Sequence, residues 1–236
     1  MEIYEIKQNV EIKRDIKQVD IQFMTASFVD YALVTDATYR KMHVATDFKP
    51  YIVGLMLPLE KDGVYKAGNI YSFVVRTNDK NLCTFLVKTM AFFKGFDAMF
   101  GEGLTFNKLK VNENNLTVKT TTATDVDFTV QGIKVINRND PEKAKQYIER
   151  NIKAKYLSFY KEELTSDFIE KVEIIGYLNT TLKDCVFTCD RYEITFKDTV
   201  EGRKARDLVL VLGAGLKNAR GFGFCIQKTD KPAKVS

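Results

Sequence analysis

His43 is the only imidazole in the chain, and it stands in Tyr39-Arg40-Lys41-Met42-His43-Val44-Ala45-Thr46-Asp47-Phe48-Lys49-Pro50-Tyr51. Three basic residues and two tyrosines lie within eight positions of it. Histidine exchanges protons near neutral pH. Lysine stabilises developing negative charge, and tyrosine orients a group or passes a proton. Together these residue types suit cleavage of a phosphodiester beside a free hydroxyl. A base takes the hydroxyl proton, an acid protonates the leaving oxygen, and a cation meets the charge that builds on phosphorus. No clustered Asp/Glu constellation accompanies them, which disfavours a two-metal nuclease. The plainer alternative is a structural or simply exposed histidine. The polar density of the segment predicts a loop around it.

A second stretch, Gly213-Ala214-Gly215-Leu216-Lys217-Asn218-Ala219-Arg220-Gly221-Phe222-Gly223, contains two Gly-x-Gly pairs with five residues between Gly215 and Gly221. An apolar run, Leu208 to Leu212, precedes it, and a strand-like Phe222 to Ile226 follows. Glycines admit positive φ and close backbone approach. Successive N–H groups in such a loop form a nest for phosphate oxygens, to which Lys217 and Arg220 add charge and Asn218 adds hydrogen-bonding groups. The spacing is not that of a P-loop, nor of a dinucleotide-binding fingerprint, which opens a βαβ unit and has an acidic residue about twenty positions on. A glycine-rich turn before a last strand is the competing reading. The pattern resembles the C-terminal Gly-h-Gly-x5-Gly-h-Gly motif, with h apolar, of the CRISPR-associated repeat-processing endoribonucleases. That family is the sixth Cas family of the RAMP superfamily. The histidine segment resembles it a second time: members commonly carry a histidine there, followed by Lys-Pro-aromatic just before the second strand. Here that reads as His43 and Lys49-Pro50-Tyr51.

The resemblance implies a metal-independent endoribonuclease that cuts precursor CRISPR RNA within its repeat. The 2′-hydroxyl attacks the adjacent phosphate, leaving a 2′,3′-cyclic phosphate and a 5′-hydroxyl. It also implies a His/Tyr/Lys catalytic set, of which His43 and Lys49 carry over directly. Tyr31 and Tyr39 compete for the tyrosine's place; Tyr31 ranks first because it lies in or just after the first helix, facing the same loop. The implied RNA-binding residues are Gly213, Gly215, Lys217, Asn218, Arg220, Gly221 and Gly223. No metal and no other cofactor is implied. The implied partners are the precursor CRISPR RNA repeat and other subunits of a CRISPR interference complex, with the protein a monomer or homodimer. Two other readings stay open: a non-catalytic RNA-binding subunit of a CRISPR ribonucleoprotein, and a small-molecule-binding α+β protein whose glycine loop holds a phosphate. The resemblance rests on both ends of the chain, and residues 95–200 carry no recognisable signature.

Composition narrows the frame. With 236 residues and 45% hydrophobic content, the chain suffices for one large domain or two small ones with real cores. Its 17 Phe and 11 Tyr exclude a disordered chain. The apolar stretches are too short to span a bilayer and no signal-peptide pattern opens the chain, so the expected location is cytoplasmic, away from membranes. Four cysteines, Cys83, Cys185, Cys189 and Cys225, lack partners spaced for a zinc tetrad and read as reduced, buried thiols. The chain has 36 Lys/Arg and 31 Asp/Glu, of which eight and three fall in residues 201–236. The first 200 residues therefore carry 28 of each, and the positive excess gathers around the glycine loop, as a polyanion partner requires. Lys228, Lys231 and Lys234 by themselves read as a solvated tail.

These residues need elements to position them. The periodicity predicts a strand in Glu2–Lys13, a helix over 15–33, strands at Tyr51–Leu57 and Asn69–Arg76, a helix capped by Asn78 or Asp79, and a strand at Leu104–Val111 after Gly95, Gly101 and Gly103. It then predicts a strand at Val130–Ile136, a helix capped by Asp140 with Pro141 first, strands at Val172–Leu178 and Cys185–Phe196, a helix over 201–212, and a last strand at Phe222–Gln227. This order fits two βαββαβ units. The expected fold class is α+β, and the resemblance sharpens it to two tandem ferredoxin-like (RRM-like) domains. The expected division is 1–115, with His43, and 120–236, with the glycine loop, across the polar segment Glu113–Thr124.

Overall fold

The computed structural model describes residues 1–126, 129–130, 133–134, 140–182 and 185–228. Alternation opens the first half: in β1 (Tyr4–Ile12), Tyr4, Ile6, Val10 and Ile12 turn into the core. There follow β2 (Ile16–Lys17), α1 (Gln18–Leu33), α2 (Ala37–Val44), β3 (Tyr51–Val53), β4 (Val64–Tyr65), β5 (Ile70–Thr77), α3 (Lys80–Phe92) and β6 (Met99–Lys108). An antiparallel sheet in the order β3-β5-β1-β6 backs α1 and α3, while β2 and β4 pair separately. The second half comprises β7 (Thr117–Thr120), the short pair β8 (Thr129–Val130) and β9 (Ile133–Lys134), α4 (Pro141–Tyr160), β10 (Ile169–Leu182), β11 (Cys185–Phe196) and α5 (Val200–Leu212). It closes with a one-turn 3-10 helix at Asn218–Arg220 and β12 (Cys225–Gln227), in a sheet ordered β10-β11-β7-β12. In each sheet the first and third strands of a βαββαβ unit lie central and the second and fourth lie at the edges. That is the tandem ferredoxin-like, α+β arrangement the sequence predicts.

Local chemistry sets the helix starts. Asp79 Oδ1 accepts from the Asn81 and Leu82 N–H groups at 2.8 and 3.1 Å, and Asp140 Oδ1 accepts from Lys143 N–H at 2.9 Å ahead of Pro141. Such caps contribute about 1 kcal/mol each.

Five local expectations change. The polar segment Glu113–Thr124, expected to divide the units, holds β7, a central strand between β11 and β12 that takes the first-strand place expected of Val130–Ile136; Val118 turns into the second core, and its flanking threonines suit extended backbone. The segment around His43 is not a loop: α2 forms because Asp36 caps it, accepting from Thr38 and Tyr39 N–H at 2.8 and 3.1 Å, although it has no fully buried residue. The fourth strand begins earlier than Leu104 and takes in Gly101 and Gly103. A Cβ on Gly101 would stand 2.7 Å from the Phe93 carbonyl, so glycine there lets the strand pass the end of α3. The last strand is shorter than expected and starts at Cys225. Of Val130–Ile136, the short ladder of β8 and β9 is described, and the remainder of that expected strand lies outside the described residues, as do Lys231 and Lys234.

Two buried arginines join the halves. Arg76 of β5 donates to Glu5 Oε2 at 2.7 Å, to Leu210 O at 3.1 Å and to Cys225 O at 2.6 Å, and it lies 4.4 Å from the Phe224 ring. Arg206 of α5 donates to the Glu113 carboxylate at 2.7 Å and to its carbonyl at 3.1 Å, which fixes the connecting segment on the second half.

Candidate active site

His43 of α2 and Arg220 of the glycine loop, 177 residues apart in sequence, meet at α1. Asp30 of α1 is the meeting point. Its Oδ1 lies 3.2 Å from His43 Nδ1, its Oδ2 accepts from Arg220 at 2.6 Å, and the Tyr51 hydroxyl donates to Oδ1 at 3.4 Å. The Asp30 and His43 side chains are only 13% and 18% exposed, so their interaction is little screened. Burial raises the Asp30 pKa, against the opposing pull of Arg220 and His43. Burial and the Asp30 carboxylate push the Tyr51 phenol upward, which keeps it a proton donor. Among the described residues His43 Nε2 has no protein partner. A carboxylate beside Nδ1 favours the tautomer protonated there and leaves Nε2 to exchange protons.

Lys49 caps the far end of α2. Its ammonium donates to Met42 O at 2.6 Å and to Ala45 O. An ammonium has three donors, so one is left for an anion. Burial lowers the Lys49 pKa. The segment Ala45–Lys49 and the loop residues Leu216–Arg220 line one cleft of about 550 Å³, with Lys155 and Ser158 of α4 completing its wall. Lys49, Lys217 and Arg220 give this cleft its positive charge, offset by Asp47 in its lining and by Asp125 and Asp30, the partners of Lys217 and Arg220.

The glycine loop differs from the expected open nest. The N–H groups of Gly213, Ala214, Leu216, Arg220, Gly221 and Gly223 all donate to protein carbonyls. Asn218 is buried, and its amide donates to Ala214 O and Phe222 O at 3.1 and 2.9 Å, so it folds the loop. Gly213, Gly215, Gly221 and Gly223 have φ between 67° and 85°, and a Cβ on Gly223 would fall 1.8 Å from Ala214 O. The glycines and Asn218 therefore shape the loop, and the side chains of Lys217 and Arg220 are what the loop presents to the cleft. Both are already paired, Lys217 with Asp125 and Arg220 with Asp30.

Neither tyrosine singled out by the sequence is hydrogen-bonded to His43. The Tyr31 ring packs 4.3 Å from Phe96 and 6.3 Å from Phe93, and the Tyr39 ring packs 4.2 Å from Phe85. Two residues escaped the sequence reading. Asp30 had no local signal, because its partners lie 13 and 190 positions away. Lys155 had one. It falls on the buried stripe Ala144, Ile148, Ile152, Lys155, Tyr156 of α4, where a lysine is out of place. It is 1% exposed and donates to Gly213 O and Gly215 O, both at 2.8 Å, and burial lowers its pKa to about 7. Its neighbour Cys225, also buried, is pushed up to about 12. Among the described residues no group of three or more His, Cys, Asp or Glu could hold a metal ion, and no helix is long and apolar enough to cross a membrane.

No protein-family model and no curated protein matches the sequence. Solved structures do match over nearly the whole chain. A CRISPR-associated protein Cas6 is 16% identical, covering 96% of this chain and 100% of its own, with a TM-score of 0.73. A RAMP protein binding different RNA substrates is 10% identical over 96% of this chain and 100% of its own, with a TM-score of 0.76. A Cas6-related protein from Pyrococcus furiosus is 11% identical over 97% and 100%, with a TM-score of 0.75. The chain has the fold of these Cas6 and RAMP proteins.

Proposed function

We propose that this protein is a metal-independent endoribonuclease that cuts precursor CRISPR RNA within its repeat to yield guide RNAs. The observation that carries the reading is the line His43–Asp30–Arg220, which couples the only imidazole to the loop whose sequence resembles the family's signature, beside a cationic cleft. The Cas6 fold and the similarity to a RAMP protein that binds RNA support RNA as the occupant.

In this reading the RNA backbone follows the cleft, with Lys217 and Arg220 exchanging carboxylate partners for phosphates. His43 Nε2 takes the 2′-hydroxyl proton, while Asp30 holds the ring and stabilises the imidazolium that forms. The third N–H of Lys49 meets the phosphorane oxygen. The 2′-oxygen bonds to phosphorus and the P–O5′ bond breaks, leaving a cyclic phosphate. The leaving 5′-oxygen takes a proton from Lys49 or from the imidazolium. Tyr31 and Tyr39, packed on phenylalanines, take no part in these steps.

That last point favours the alternative of a non-catalytic RNA-binding subunit, since neither Tyr31 nor Tyr39 is hydrogen-bonded to His43 and the tyrosine beside it, Tyr51, donates to Asp30. One experiment separates the two. Purified protein with EDTA should cut repeat RNA, and His43→Ala should slow single-turnover cleavage by at least about 10²-fold with little change in affinity. Full activity in His43→Ala, or cleavage only on addition of a divalent metal, would overturn the mechanism. Binding without any cutting would establish the subunit reading.

A further inference from the structure

Beside the cleft lies a second, smaller cavity of about 190 Å³, between α4 and the Leu216 side of the glycine loop. We propose that it is a pocket for one unpaired base of the bound RNA, with Asn151 as the residue that reads the base edge. The inference rests on the RNA-processing reading and adds a positioning site to it.

Size is the first argument. The cavity is below the range of sites that enclose whole drug-sized ligands, and it suits a single ring system. The walls are the second. Phe48 and Tyr147 line it, and the Arg150 guanidinium lies 4.5 Å from the Tyr147 ring. Unstacked bases are held on aromatic faces and guanidinium planes of this kind. The third argument is Asn151, which lines the cavity and whose Oδ1, shut off from solvent, has no hydrogen-bond partner among the described residues, so that turning the amide about χ2 brings an unpaired acceptor to the cavity. A buried acceptor without a donor is costly, and every base offers a donor next to an acceptor on its Watson–Crick edge. A primary amide matches such a pair with its Oδ1 and Nδ2, and rotation about χ2 sets which end leads. Continuity is the fourth. Phe48 and Leu216 line both the cavity and the cationic cleft. A phosphate held by Lys217 or Arg220 therefore has a base-sized recess next to it.

The test uses two fluorescein-labelled single-stranded probes of equal length, an oligoadenylate and an abasic ribose-phosphate oligomer, titrated at several salt concentrations. Wild type should bind the oligoadenylate about tenfold or more tighter than the abasic probe. Asn151→Leu and Tyr147→Leu should each remove most of that advantage. Neither should change affinity for the abasic probe or the slope of log affinity against log salt, because neither removes a phosphate contact. Thermal melts of both variants establish that they fold, and one folded variant decides the question. Equal binding of the two probes by wild type, or folded variants that keep the full advantage, would overturn the pocket while leaving the cleft in place. Failure of wild type to bind either probe at low salt would instead overturn the RNA reading itself.

Discussion

Replacing Asp30 with asparagine keeps the side-chain volume and removes the charge that His43 faces. The cost can be worked from the geometry. At an effective dielectric of about 20, two unit charges 3.2 Å apart attract by about 5 kcal/mol. Arg220, on the other oxygen of the same carboxylate, already neutralises part of that charge. Halving the attraction on its account leaves about 2.6 kcal/mol, or roughly 10²-fold in rate. Asp30→Asn should therefore cut labelled repeat RNA about 10²-fold more slowly under single-turnover conditions. Binding should hold or improve, since Arg220 is released to meet phosphate. Single-turnover cleavage and a binding titration read both effects. Asp30→Asn within about threefold of the wild-type rate would refute the reasoning if His43→Ala were inactive in the same assay.

Three further outcomes follow from the site. Replacing both Lys217 and Arg220 with alanine should lower the magnitude of the log-affinity against log-salt slope by about 1.4–1.8, two phosphate contacts' worth, and an unchanged slope in a folded variant would make the loop a structural turn only. Lys155 has a folded pKa of about 7, below its unfolded value, so the unfolded state binds more protons between those values and stability rises with pH there. Denaturant unfolding from about pH 7 to 8.5 should show a gain approaching 1.4 kcal/mol per unit that is lost in Lys155→Met; above that window the raised Cys225 pKa acts in the opposite sense. Gly223→Ala should destabilise the protein by more than about 2 kcal/mol, from an unfavourable φ and the contact with Ala214 O, read as a lowered Tm.

How far the sequence reached depended on whether a signal was local. Alternation in β1, the Asp79 and Asp140 caps and the apolar run of α5 each declare themselves within a few residues, and those elements stand as read. The place of the glycine loop was equally legible, but not what its N–H groups do, because Leu216 and Gly223 find their acceptors on the distant Asp125 and Ala123 and the loop otherwise folds onto its own carbonyls and the end of α5. Alpha2 was missed since none of its residues is fully buried and it leaves no apolar period; its one signal was Asp36 at the cap position. The cleft could not be read at all, because Lys49, Lys155 and Arg220 come from three distant parts of the chain and meet only once both sheets are assembled.

The guanidinium of Arg76 has a consequence for how a long polymer could enter. It sits in the seam between the sheets, 5% exposed, with carbonyls of Leu210 and Cys225 as its acceptors on the opposite side. Opening the seam would exchange both bonds for water, at about 1.5–3 kcal/mol each, and would uncover the Phe224 ring beside the guanidinium. The seam therefore resists opening. In the proposed RNA-processing reading, a strand enters the gap between Ala45–Lys49 and the glycine loop from its open side, and a duplex has to offer a frayed or looped segment there.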